Sequence, residues 1–267
     1  MFYLGPAGAP LDAKGMEDGL PMLKEMGLNA MEVQYTYGIQ TKLETAQRLG
    51  RIAKENGIRI SCHAPYYINL NSRDRGVLKK SCMWIHRTAE MMNAWGGYML
   101  VHHPGFLHGM KPSAVTRNVK RRLAGCVKRI RDEGWEMFIG LEMTGKLAGF
   151  GTLDEIIRIC QDIEGVYPVI DWAHAHARDQ GRFKRVQDFE DLLREYEEFT
   201  TDFLHCHFSC TEYGERGERR HLEIEEKSPD FAKLATVLKK REYDITIISE
   251  SPVRDKDSLK MKRILGL

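Results

Sequence analysis

Residues Thr41 to His63 read TKLETAQRLGRIAKENGIRISCH, and this stretch decides the fold. Thr41-Lys42-Leu43-Glu44 has the form of a capping box, a threonine three residues ahead of a glutamate, which opens a helix. Leu43, Ala46, Leu49, Ile52 and Ala53 then recur at helical spacing, and Gly57 suits a helix stop. Ile58-Arg59-Ile60-Ser61-Cys62-His63 alternates apolar and polar as a strand does, and it ends on a histidine.

The pattern recurs outward from there. Thr152-Leu153-Asp154-Glu155 repeats the capping signal before Ile156, Ile157, Ile159 and Cys160, and Ser228-Pro229-Asp230 offers a cap and an N1 proline before Phe231. Eight strands are predicted near Phe2–Gly5, Ala30–Gln34, Ile58–His63, Tyr98–His102, Met137–Glu142, Tyr167–Asp171, Asp202–His207 and Ile245–Glu250, most of them separated by helical patterns. Such alternation argues for a parallel sheet. A chain of 267 residues without a break in composition matches one α/β (β/α)8 TIM barrel spanning 1–267, since such barrels take about 250 residues. The competing doubly wound sheet lacks a GxGxxG or GxxxxGK[ST] loop.

With 42% hydrophobic and 29% charged residues, the composition excludes a disordered chain or a collagen-like repeat. No apolar run reaches the ~20 residues of a membrane span, and no basic region precedes a long apolar stretch at the start. Six scattered cysteines in a large chain read as reduced thiols, so a cytoplasmic protein is expected. The net charge of +2 neither requires nor excludes nucleic acid.

The chemistry lies at the strand ends. His63, His103, Glu142, Asp171, His207 and Glu250 each fall at or just after a predicted strand, 29 to 43 residues apart, about one βα unit per step. All strand C-termini of a closed parallel barrel open on one mouth, so these six side chains are expected to converge. A lone histidine there is usually a satisfied polar group and a lone carboxylate often a helix cap. Six together repel or desolvate one another unless a cation is present. Mixed imidazole and carboxylate donors suit zinc, manganese or iron better than calcium. His174, three residues past Asp171, and His221, in a loop rich in Arg and Glu, add to the set. His205 shares a strand face with His207, which is favoured as nearer the mouth, while His102 is expected to face away from His103. His86, His108 and His176 read as surface or supporting groups, and Cys206-His207-Phe208-Ser209-Cys210 lacks the second Cys pair of a zinc site.

Taken in order, His63-Ala64-Pro65-Tyr66 with Asn69-Leu70, His103-Pro104-Gly105, Leu141-Glu142-Met143-Thr144, Asp171-Trp172-Ala173-His174, the His207 strand, Arg220-His221 and Glu250-Ser251-Pro252 resemble the endonuclease IV family of AP endonucleases across nearly the whole chain. The resemblance implies a zinc-dependent phosphodiesterase that cuts double-stranded DNA 5′ to an abasic site; a monomer is expected. Carried over by position, His63 and His103 hold a first zinc and Glu142 bridges to a second, completed by Asp171, His207 and Glu250. His174 and His221 hold a third, and Glu142 and Glu250 are the catalytic carboxylates. Tyr66 matches a DNA-facing loop. Clustered cations polarise a phosphoryl oxygen, supply hydroxide and stabilise the leaving 3′ oxygen.

One departure matters. The family places Asp two residues before the third-site histidine, and Arg219 stands there, in Glu218-Arg219-Arg220-His221. Arginine cannot ligate a cation, so two or three Zn2+ ions are expected, with Mn2+ an alternative. Glu218 substitutes only if the loop shifts. Arg219 and Arg220 are then candidate phosphate contacts, with Arg178, Arg182, Lys184, Arg185 and Arg216 nearby, and Tyr35 or Tyr37 is a candidate to stack in a DNA gap. Arg117, Lys120, Arg121, Arg122, Lys128, Arg129 and Arg131 read as a solvated helix face. The rival is a single-metal sugar isomerase or epimerase of the xylose-isomerase-like barrels, for which Glu142, Asp171, His207 and Glu250 suffice. His63, His103, His174 and His221 are surplus to it. A third reading is a DNA-binding relative disabled at Arg219.

Overall fold

Ile60 and Cys62 are buried in the apolar layer beneath the helices, whereas Ser61 and His63, one residue along, point into the interior to meet Glu32 and Glu142. This period-two split repeats around the molecule. The computed structural model describes residues 1–267. Its strands are β1 (Phe2–Pro6), β2 (Ala30–Gln34), β3 (Arg59–His63), β4 (Met99–His102), β5 (Phe138–Glu142), β6 (Val166–Asp171), β7 (Phe203–Phe208), β8 (Cys210–Gly214), β9 (Gly217–Leu222) and β10 (Asp244–Ser249). Its helices are α1 (Met16–Glu25), α2 (Leu43–Glu55), α3 (Arg75–Trp95), α4 (Pro112–Asp132), α5 (Leu153–Cys160), α6 (Trp172–Arg178), α7 (Val186–Glu197), α8 (Phe231–Leu238) and α9 (Asp255–Leu265).

Eight strands lie in the order β1-β10-β7-β6-β5-β4-β3-β2, paired parallel throughout. The seam between β1 and β2 is closed by Asn29. Its backbone N–H donates to the Leu4 carbonyl (3.1 Å), and its side chain accepts from Leu4 N–H (2.8 Å) and donates to the Phe2 carbonyl (3.1 Å). Gly5 makes the approach possible, because a Cβ there would stand 1.6 Å from the Ala30 carbonyl oxygen. All eight expected strands form, with boundaries within one residue of those predicted.

Two expected helix starts differ. Lys42, not Thr41, occupies the N-cap of α2, and no side chain caps it, whereas the Thr152–Glu155 box does form. Asp230 caps α8 by accepting from Ala232 N–H, so Pro229 lies outside the helix instead of at its first position. On α4, Val115, Val119, Leu123, Cys126, Val127 and Ile130 are buried, while Lys120 pairs with Asp162 and Lys128 with Asp132. Arg117, Arg121, Arg129 and Arg131 are exposed on that helix, whereas Arg122 is half-buried and donates to the carbonyls of Leu70 and Ser72 in the loop after β3. No helix is long and apolar enough to cross a membrane.

Candidate metal centre

Along the inward face β5 reads Phe138, Gly140, Glu142; β6 reads Tyr167, Val169, Asp171; β7 reads Phe203, His205, His207. Each stripe starts on a ring and ends on a donor atom. The Glu142 carboxylate is the hub. Its Oε2 lies 2.7 Å from His63 Nε2 and 3.5 Å from His103 Nε2, and its Oε1 lies 3.2 Å from His207 Nδ1 and 3.3 Å from His174 Nδ1. Four groups have potential ligand atoms that all lie within 4.8 Å of one another: three at the mouth, His63–His103–Glu142, Glu142–Asp171–His207–Glu250 and His174–Glu218–His221, and one beneath them, Glu32–His205–His207. All eight residues expected at the metal site therefore meet at one mouth, and Glu142 belongs to two of the groups.

The third group contains the residue that the sequence reading made conditional. His221 sits in strand β9, not in a loop, and β9 pairs antiparallel with β8. Glu212 faces Arg220 and Tyr213 faces Glu218, which leaves Arg219 as the extra residue of a β-bulge. A bulge resets the alternation by one residue, so Glu218 comes to the same side as His221. The Glu218 carboxylate lies 2.8 Å from His221 Nε2 and 3.2 Å from His174 Nε2. Gly217 fixes the hairpin end (φ +90°): a Cβ there would lie 2.1 Å from the Gly145 carbonyl oxygen, which instead accepts from Glu218 N–H at 3.1 Å. Arg219 and Arg220 point outward and share the Glu212 carboxylate.

A test of fit to a cation is how the imidazoles are held; His103, whose Nδ1 is buried without a partner, is the exception. His63 Nδ1–H donates to the Ala64 carbonyl (2.7 Å), His174 Nδ1–H to the Met143 carbonyl (3.0 Å) and His221 Nδ1–H to the Glu250 carbonyl (3.1 Å), so that each Nε2 faces carboxylates. His207 is reversed, with Nε2 on Glu32 and Nδ1 inward. This outer support of inner donors is what a metal site requires. Asp171 Oδ2, buried in the mouth, has no hydrogen-bond partner. The residues fit divalent cations with mixed N/O donors.

Electrostatics agree. Burial pushes Asp171 up to about 6, helped by the charges of Glu142 and Glu250 against the opposing pull of His174. Burial opposes ionisation of Glu142, but His103, His207 and His174 outweigh it and hold the carboxyl well below its usual range. Burial likewise opposes charge on His174, His207 and His221, yet the surrounding carboxylates raise all three, His221 to about 9. Burial drives His103 down to about 3, leaving it a neutral donor. A cluster that gathers protons to balance its carboxylates is one in which cations can replace them.

A cleft of about 380 Å³ opens over the mouth, with Tyr66, Phe106 and Lys146 among its walls. The Tyr66 ring stands 5.1 Å from that of His63, centroid to centroid. Three of the other basic candidates are engaged elsewhere. Arg178 donates to Thr144, Lys146 and Gly149, Arg182 pairs with Asp179 and Arg185 with Asp188. Tyr35 is buried and accepts from Trp95 Nε1 at 3.2 Å, so it is not free to enter a DNA gap; Tyr37 is exposed. His176 is no surface group: it is buried, accepting from Phe183 N–H at 3.1 Å. His86, His102, His108 and His176 join none of the groups, nor does any cysteine, all six of which are free thiols. Sequence reasoning missed Glu32. It sits mid-strand in β2 beneath His207, and its one available signal was a carboxylate inside an otherwise apolar Ala30–Val33 run.

Comparison with known proteins gives a consistent picture. A protein of Methanocaldococcus jannaschii of uncharacterised function is 30% identical over 264 residues, covering 97% of this chain and 95% of the other. Among solved structures, a D-tagatose 3-epimerase-like protein superposes with a TM-score of 0.71 at 20% identity, covering 99% of this chain and 95% of that one. Endonuclease IV of Thermus thermophilus superposes with a TM-score of 0.68 at 18% identity, covering 99% and 97%. Since residues 20–265 match the family described as the xylose isomerase-like TIM barrel, the chain belongs to that family.

Proposed function

We propose that this protein is a zinc-dependent phosphodiesterase that cuts duplex DNA on the 5′ side of abasic sites. One observation carries the reading: the bulge at Arg219 completes a third donor group, His174–Glu218–His221, beside two that share Glu142. A sugar enzyme with one metal needs only Glu142, Asp171, His207 and Glu250. The other five donors are unexplained by it, whereas a phosphodiester needs charge on both its attacked and its leaving oxygens. Bound cations supply that charge and lower the pKa of water.

The chain's own residues do the rest. Glu142 and Asp171 provide the buried negative charge that holds cations against desolvation. Glu250, lining the cleft at its edge, is the carboxylate placed to take a proton from entering water. Tyr66 is half-exposed in the cleft wall, where partial enclosure and the neighbouring carboxylates keep its hydroxyl protonated, so it can donate to a phosphate oxygen. Lys146, Arg219 and Arg220 at the rim contact the backbone.

One observation favours a second reading, a sugar epimerase: most arginines near the mouth are tied up internally, and a D-psicose 3-epimerase crystallised with D-fructose shares the fold (TM-score 0.68, 14% identity, covering 97% of this chain and 96% of that one). The test is incubation of zinc-loaded protein with a duplex carrying one abasic analogue, and separately with D-ketohexoses. Incision 5′ to the lesion is expected. Intact duplex together with an epimerised ketose would sink the nuclease reading.

A further inference from the structure

Beneath the three groups, on the barrel axis, lies a buried polar layer centred on Glu32. Its carboxylate is fully enclosed and accepts four hydrogen bonds: from Ser61 Oγ (2.9 Å), Gln34 Nε2 (3.1 Å), His205 Nε2 (3.1 Å) and His207 Nε2 (3.2 Å). His205 is fixed in turn at Nδ1 by the Tyr98 hydroxyl. Every donor to Glu32 is itself held on a strand, β2, β3 or β7, so the carboxylate has no freedom to turn.

His207 differs from the other imidazoles of the mouth in one respect. His63, His174 and His221 are oriented by backbone carbonyls, which accept a hydrogen bond but carry no net charge. The outer nitrogen of His207 meets a full carboxylate. Holding Nε2–H there turns Nδ1 toward Glu142, Asp171 and Glu250, at 3.2, 4.0 and 3.7 Å, where it gives up its proton to become the donor atom when a cation binds. A carboxylate behind an imidazole fixes its tautomer and makes the inward nitrogen a stronger donor.

We infer that Glu32 is a positioning residue that selects the Nδ1-donating tautomer of His207 and thereby sets the zinc affinity of the Glu142–Asp171–His207–Glu250 group alone. The inference rests on the metal centre of the proposed function. It does not depend on which substrate the centre serves. Nor is Glu32 a ligand to a further ion, because all four of its hydrogen bonds are already made and His207 cannot give both nitrogens to cations without losing its proton.

The experiment compares full-length wild type, Glu32→Gln and Ser61→Ala. Glu32→Gln keeps the shape, removes the charge and places an amide N–H₂ among four donors. Ser61→Ala removes one of the groups that hold Glu32 still and guards against misfolding of the first variant. Zinc content and competition with a chromophoric chelator are measured, with long-range ¹H–¹⁵N spectra of the histidines. In wild type, His207 is expected to be protonated at Nε2 when zinc is bound. Glu32→Gln should weaken one zinc equivalent by about 10- to 100-fold, Ser61→Ala should weaken the same equivalent by less, and the other equivalents should be unchanged. Wild-type affinity and unchanged His207 signals in both variants overturn the inference and leave the nuclease reading standing. Zinc-free wild type overturns both. A Glu32-dependent zinc in a protein that leaves abasic duplex intact overturns the nuclease reading alone.

Discussion

The two ends of the barrel interior use the same strand alternation to opposite effect. At the N-terminal end Phe138, Tyr167 and Phe203 pack ring on ring, with centroids 5.0, 5.1 and 4.7 Å apart, level with Met99 and beneath Val101 and Val169. At the C-terminal end the same strands present Glu142, Asp171 and His207, and there Asp171 Oδ2 and His103 Nδ1 are buried with no hydrogen-bond partner. The lower layer is complete with the atoms it has. The upper one carries more buried carboxylate and imidazole than it can satisfy internally, and such a surplus marks a place where something else belongs. Between them Glu32 and His205 form a layer that is polar but fully paired. The floor contributes stability; the mouth sacrifices some of it for chemistry.

Substitution should separate the two ends cleanly. The largest effect is expected for Glu142→Gln, because that carboxylate touches four histidines and belongs to two donor groups. Incision of an abasic duplex should fall by about 10³-fold or more, about 4 kcal/mol of transition-state stabilisation, with the circular dichroism spectrum unchanged. Retained incision removes Glu142 from its bridging place. The counterpart is Phe203→Ala, which empties the centre of the aromatic floor. It should cost about 3 kcal/mol or more in urea unfolding while leaving zinc content unaltered. Loss of zinc without loss of stability in this variant would show that floor and mouth are not separate.

How much of this was legible in the chain follows the same division. The strands could be read because Ile58–His63 and its counterparts alternate with period two, and the ligand candidates could be read because each closes such a stripe. What period and spacing do not carry is a change of phase. Arg219 stands where a regular strand points inward, so the third group looked damaged. Only the pairing of Glu212 with Arg220 and Tyr213 with Glu218 reveals the bulge that substitutes Glu218. Glu32 escaped for a related reason: it lies mid-strand, away from any strand end, and becomes notable only when β7 lays His205 and His207 over it. The arginines of the mouth looked like free charge because their partners, the carbonyls of Thr144, Lys146 and Gly149 among them, are brought to them by the fold. Thr41 misled because the capping pattern fits its position, whereas the helix begins one residue later than that pattern requires, at Leu43.

The bulge itself offers the finer tests. Glu218→Ala should release one zinc equivalent and reduce incision by about 10- to 100-fold, with the floor untouched. Its pH dependence can be given a sign. Burial works against charge on His221, but its hydrogen bond to the Glu218 carboxylate and the charges of Glu250 and Asp171 raise it from 6.5 to about 9. A group raised on folding stabilises below its unfolded value and loses that contribution as pH climbs through its folded one. Chelator-treated protein should therefore lose thermal stability between pH 6.5 and about 9, while zinc, which must displace the same proton, binds more tightly over that interval. In Glu218→Ala both trends should flatten, and equal slopes in the two proteins would break the link between Glu218 and His221. The smallest effect is reserved for Arg219, which pairs with Glu212 on an exposed surface. Arg219→Ala should change stability by no more than about 0.5 kcal/mol, since exposed ion pairs contribute little. If Arg219 contacts a phosphate, the same variant should weaken DNA binding alike for all sequences and lower the slope of log affinity against log salt by about 1. An unchanged slope, with zinc content intact, would show that the bulge exists only to turn Glu218 inward.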